Sequence, residues 1–154
     1  MRRFLLGIML LLAVFVFAGC QKRLPDTAMI ETFVYETRGT AMGSETSFSI
    51  AREGDGFIVT QSADGGQIVR MAHVGRDVVS QATDILRTYN ALSWDGFAGS
   101  DPNISDGESF TLRIAFNDGS SVAARGTNSY PKGMTAAVRE IQNLFDRFLR
   151  EPEQ

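Results

Sequence analysis

The 154-residue chain has one Cys, one His, one Trp and only four prolines. One Cys excludes an intrachain disulfide framework and a Cys-rich zinc cluster, and one His excludes a His-based metal triad. A surplus of acid, 18 Asp plus Glu against 15 Lys plus Arg for a net charge of −3, argues against a general nucleic-acid binder, which needs excess cations on some face to neutralise phosphate. The chain also lacks a Gly-x-Ser-x-Gly elbow, a His-Glu-x-x-His pair, a P-loop and a dinucleotide glycine pattern, so no standard nucleophile or cofactor cradle is present. His73, at the end of a predicted strand, has no partner that would make it a catalytic base, and reads as a strand-edge or partly buried His bonded to a backbone carbonyl. No cofactor and no metal is expected.

What the chain does have begins at its start. Met1-Arg2-Arg3 is a short basic segment, Phe4 to Phe17 is nearly unbroken apolar sequence, and Ala18-Gly19-Cys20 is a small-residue exit. The apolar run is short for a bilayer span, which needs about 20 residues, so residues 1–19 read as an export signal. Phe17-Ala18-Gly19-Cys20 resembles the lipobox of bacterial lipoproteins, with Phe at position 17 where that class mostly has Leu. The resemblance implies cleavage before Cys20, a diacylglyceryl group on its sulfur and acylation of the new amine. Two or three chains anchor durably where one does not. Gln21 follows Cys20, and by resemblance to the sorting rule of enteric bacteria the absence of Asp there implies the outer membrane, on its periplasmic face. In a source with one membrane, the expectation becomes the outer face of the cell membrane.

Removing residues 1–19 takes away Arg2 and Arg3 but no acid, leaving 13 basic against 18 acidic groups, or −5. Anionic lipid repels such a body, so attachment falls to the lipid chains rather than to a polybasic patch. Residues 20–28 then form the lipidated Cys and a short tether, 29–150 a single domain, and 151–154 a tail. One domain suits this length, and somewhat over 60% of the unfolded surface can be buried without staples.

Within the domain, periodicity predicts an α+β fold in the order ββββ-α-ββ-α. Thr32 to Arg38 and Thr46 to Arg52 alternate as half-buried strands. Phe57 to Gln61 and Gln67 to Val74 follow Gly-rich turns at Gly54-Asp55-Gly56 and Asp64-Gly65-Gly66. From Asp77 to about Leu92 the spacing changes to threes and fours, which predicts a helix with Asp77 as cap or first-turn acid. Ser109 to Phe116 is the clearest strand, paired through Asn117-Asp118-Gly119-Ser120 with Ser121 to Arg125. A last helix from about Pro131 or Thr135 to Leu149 carries Asp146 and Arg150 at ion-pair spacing. These elements predict an antiparallel sheet with both helices on one face. The plan of Phe57 to Leu92, two strands and a helix, recurs in Phe110 to Leu149 without repeated residue identities.

The loop Ser93 to Glu108 is the unusual segment. It holds Trp94 and Phe97, together with Asp95, Asp101, Asn103, Ser105, Asp106 and Glu108. A calcium loop counted from Asp101 would need Gly at the sixth position and Glu at the twelfth, where the chain has Asp106 and Leu112; Asx-turns account better for these residues. Trp94 and Phe97 read first as cover for the open end of the core. If exposed together, they become the candidate contact site.

Trp94-Asp95-Gly96-Phe97, then Asp106 to Leu112, Asn117-Asp118-Gly119 and Gly126 to Pro131, resemble a block in uncharacterised bacterial proteins, some of them lipoproteins. The resemblance covers about residues 94–149 and implies no activity. The expected function is a membrane-anchored, non-enzymatic binding or interaction domain of the cell envelope. Its expected partners are the membrane, through the lipid anchor, and an envelope protein, with no nucleic acid. The alternative is a small envelope hydrolase using Asp95, Asp101 or Glu108 as acid and base.

Overall fold

The computed structural model describes residues 23–39, 44–104 and 107–150. The fold is α+β and mostly sheet. Four strands come first: β1 (Ile30–Gly39), β2 (Glu45–Glu53), β3 (Gly56–Ala63) and β4 (Gln67–Val74). Then follow α1 (Arg76–Thr88), β5 (Ala98–Ser100), β6 (Glu108–Phe116), β7 (Ser121–Thr127) and α2 (Met134–Asp146). The strands form one seven-stranded sheet in the order β4-β3-β2-β1-β6-β7-β5. The first strand thus lies between the N-terminal meander and the C-terminal hairpin.

Alternation decides which face is buried. Phe33 is opposite Ile50 on one side and Ile114 on the other, Ile50 is opposite Val59, and Ile114 is opposite Val122. These in-register partners share one face, and all are buried in a single apolar cluster. Both helices meet this face. Thr83 of α1 accepts a buried hydrogen bond from Ile30 N–H at 3.2 Å, and Phe145 of α2 packs on Phe48 with ring centroids 6.0 Å apart. The helices also touch each other, where the Tyr89 hydroxyl just past α1 donates to Glu140 at 2.6 Å.

Three expectations need correction. The sheet is mixed rather than wholly antiparallel, because β5, within the stretch expected to be loop, pairs in parallel with β7. Its sequence, Ala-Gly-Ser, is too short and too small to show alternation. The first helix ends at Thr88 instead of about Leu92, since Asn90 adopts a left-handed backbone (φ 53°) and Ala91–Trp94 tightens into a 3-10 turn. The expected Asp146–Arg150 pair does not form. The second helix ends at Asp146, whose carboxylate takes Arg70 at 2.6 Å, while the Arg150 backbone pairs with Met71 on β4 through bonds of 2.8 and 3.1 Å.

The tether expected over residues 20–28 is also partly body. Leu24 (4% exposed) and Ala28 (5%) belong to the core, and Ala28 N–H closes a turn on the Pro25 carbonyl at 3.0 Å. Among the described residues, packing on the core begins at Leu24. Cys20 and the whole of Phe17-Ala18-Gly19-Cys20 lie outside the described residues.

Candidate functional site

The residues singled out in the 93–108 loop are brought together only in part. Trp94 is 1% exposed, and its Nε1–H donates to the Lys132 carbonyl at 3.1 Å. It therefore cannot serve as an exposed contact, and the candidate pair Trp94 and Phe97 is not a contact surface. The physical reason is the 3-10 turn, which swings the indole under the chain that leads into α2. Phe97 is half buried and stacks on Phe110, centroids 6.4 Å apart.

Phe110 is the centre of an aromatic group. Tyr130 stacks on it at 4.9 Å and Tyr35 lies at 6.4 Å. Neighbouring backbone must come very close for this. A Cβ on Gly126 would stand 2.2 Å from the Ser129 carbonyl oxygen and 2.6 Å from the Phe110 ring, so only glycine fits there. Glu108 closes the group by accepting the Tyr130 hydroxyl at 2.6 Å. Burial, with the negative charge of Glu108 behind it, pushes the Tyr35 phenol up to about 12. Burial and then the hydrogen bond to Glu108 push Tyr130 up as well. Both phenols stay protonated at neutral pH, so neither is a ready base or nucleophile.

The loop carboxylates are each engaged locally. Asp95 accepts Ala123 N–H at 2.9 Å, Asp101 accepts Asn103 N–H at 2.9 Å in the expected Asx-turn, and Glu108 holds Tyr130. Ser105 and Asp106 fall outside the described residues. Among the described residues no three His, Cys, Asp or Glu side chains are grouped so as to hold a metal ion. His73 is exposed and lies 3.0 Å from Glu53 through Nδ1, a surface pair rather than a bond to a backbone carbonyl.

A cavity of about 590 Å³ lies between the N-terminal segment and the end of α1, lined by Arg23, Asp26, Arg87 and Asn90 among others. Arg87 forms its wall and is occupied by backbone carbonyls of the same segment.

A second region was not legible in the sequence. The sheet face away from the helices carries Val34, Ala51, Ile58, Thr60 and Ala115, all only half buried, with no element over them among the described residues. Near its β5 edge are two shallow depressions of about 340 and 350 Å³ that share Ala98, Thr111 and Arg125. Arg113 on the same face pairs with Glu36 at 3.2 Å, whereas Arg125 has no ion-pair partner among the described residues. Alternation within β6 and β7 placed these arginines opposite the core. What alternation could not tell was that small residues beside them leave open space.

Among the described residues no helix is long and apolar enough to cross a membrane. Compared with known protein families, with curated proteins and with solved structures, the chain matches none.

Proposed function

We propose that this chain is a lipid-anchored, non-enzymatic binding domain of the cell envelope, attached through Cys20 and acting through its open sheet face and free strand edge. The order of basic segment, apolar run, small pair and Cys supports the anchor. In a source with two membranes, Gln21 favours the outer membrane for the anchor by resemblance to the enteric sorting rule. Leu24 is packed in the core, and the four residues from Cys20 to it can reach about 14 Å at most. An acylated Cys20 would hold the domain against the headgroups, and its partner would be met at the same surface.

The observation that carries the binding reading is the contrast between the two kinds of candidate group. Asp95, Asp101 and Glu108 are each committed to a separate local hydrogen bond, which favours binding over the hydrolase alternative, whose acid-base work needs paired carboxylates in unequal surroundings. The half-buried sheet face and the β5 edge remain uncommitted among the described residues.

Detergent-phase partitioning of the chain expressed in a bacterium with lipoprotein processing tests the anchor. The wild type is expected in the detergent phase and Cys20→Ser in the aqueous phase. Equal partitioning of the two would overturn acylation at Cys20.

A further inference from the structure

The two edges of the sheet are treated differently by the chain. At the β4 edge, Met71 exchanges both backbone hydrogen bonds with Arg150. Arg70 fastens the same region by donating to the Asp146 carboxylate and to the Asp146 and Leu149 carbonyls. At the opposite edge, β5 pairs only with β7 among the described residues. The Phe97 carbonyl accepts Arg125 N–H at 2.9 Å, and Asp101 N–H donates to the Thr127 carbonyl at 3.0 Å. Odd-numbered residues therefore face β7, and the backbone groups of Ala98 and Ser100 point outward. Both residues are exposed.

Side-chain register adds chemistry to this edge. Ala98 is in register with Arg125, and Thr111 is in register with Arg125 on the other side. All three share the open face and line its two shallow depressions, with the small side chain of Ala98 between Arg125 and the edge. A strand added to β5 would lie roughly 10 Å from β7, two strand spacings away. That distance suits a guanidinium and a carboxylate reaching toward each other across Ala98.

We propose that the outer edge of β5 takes an extended peptide segment as an eighth strand, and that the residue of that segment opposite Ala98 carries a carboxylate that pairs with Arg125. The occupant is thus an acidic extended segment of a partner. Main-chain bonds to Ala98 and Ser100 supply the binding mode, and Arg125 supplies the selectivity. This deepens the reading of the chain as a binding domain and does not depend on the anchor.

The probe is a fluorescein-labelled peptide of alternating Thr and Val with one central Glu, tested against the purified full chain, beside an otherwise identical peptide with central Lys. The Glu peptide is expected to bind saturably and at least tenfold more tightly than the Lys peptide. Arg125→Glu is expected to reverse that preference. Ala98→Pro, which removes an outward N–H, is expected to lose both peptides. Because that variant can disturb the strand, a Glu peptide N-methylated on alternate amides makes the same test on unaltered protein, and one of its two methylation registers is expected not to bind.

No saturable binding, an unchanged preference in Arg125→Glu, or equal binding of both N-methylated registers would overturn the edge site. Self-association of the chain through this edge, detected as a dimer lost in Ala98→Pro, would assign it to a second copy and also overturn the proposal. Failure of the peptides with normal detergent partitioning leaves the anchor standing and removes the edge site alone.

Discussion

Arg87, in the last turn of α1, donates to the Pro25 carbonyl oxygen at 2.9 Å across 62 residues of sequence. The same guanidinium donates to the carbonyls of Asp26 at 3.3 Å and Ala28 at 3.4 Å, and it pairs with Asp84. With only 23% of its side chain exposed, Arg87 is a clasp that holds the N-terminal segment on the helix. Its Nε is buried without a hydrogen bond, as the Asp26 carboxylate stands 3.7 Å away. The cation also suits the negative end of the helix dipole.

Loss of the clasp should be measurable as stability. Arg87→Ala is expected to lower the unfolding free energy by about 2 kcal/mol, the order of one or two hydrogen bonds to a charged group. The urea midpoint measures this, and hydrogen exchange at Ala28 should accelerate. Arg87→Lys should recover little, because a single ammonium cannot hold the Asp84 carboxylate and the Pro25 to Ala28 carbonyls on two separate nitrogens, as Nη1 and Nη2 of the planar fork do. A midpoint unchanged in both variants would show that the clasp contributes nothing.

Tyr35 and Tyr130 are expected to weaken the fold at alkaline pH. An unfolded Tyr ionises near pH 10, whereas the folded Tyr35 is pushed up to about 12 and Tyr130 is raised as well. Above pH 10 the unfolded chain loses these protons while the folded chain keeps them, so stability falls as pH rises. Below pH 10 both states hold the protons, and these two groups add no pH dependence. Unfolding curves from pH 8 to 12 should therefore be flat at first and then decline. Tyr130→Phe should reduce the decline and cost about 1 kcal/mol at neutral pH through the lost bond to Glu108. An equally steep decline in that variant would separate Tyr130 from the effect.

Glycine substitutions should rank by contact rather than by sequence neighbourhood. Gly126→Ala places a methyl 2.2 Å from the Ser129 carbonyl oxygen and is expected to cost about 3 kcal/mol. Gly119→Ala meets no atom within 4 Å but must adopt φ +82°, for which about 1 kcal/mol is expected. Thermal or urea unfolding of the two variants gives the order directly. A cost for Gly119→Ala equal to or above that for Gly126→Ala would mean that the packing of Phe110 is looser than described.

The particular elements show where sequence reasoning succeeds. Phe110, Leu112, Ile114 and Phe116 alternate against polar neighbours, and all four are buried on one face of β6. Val78, Val79, Ala82 and Leu86 follow helical spacing, and all four are buried in α1. The Asx-turn at Asp101 and the hairpin at Asn117 to Ser120 were equally readable, because the residues that stabilise them are adjacent. Trp94 was ambiguous. Whether an indole covers the core or faces solvent depends on a partner, Lys132, that is 38 residues away.

The sequence by itself determined the periods, and with them the strands, the helices, the buried face and the turns, since each depends on neighbours within a few residues. Only the tertiary structure decided that Ala98 to Ser100 becomes an edge strand, that Leu24 joins the core, and that Arg87 and Arg125 have different roles. One arginine lies among backbone carbonyls and the other beside an open edge. Such roles depend on which distant segments come into register, and a local pattern carries no information about distance in space.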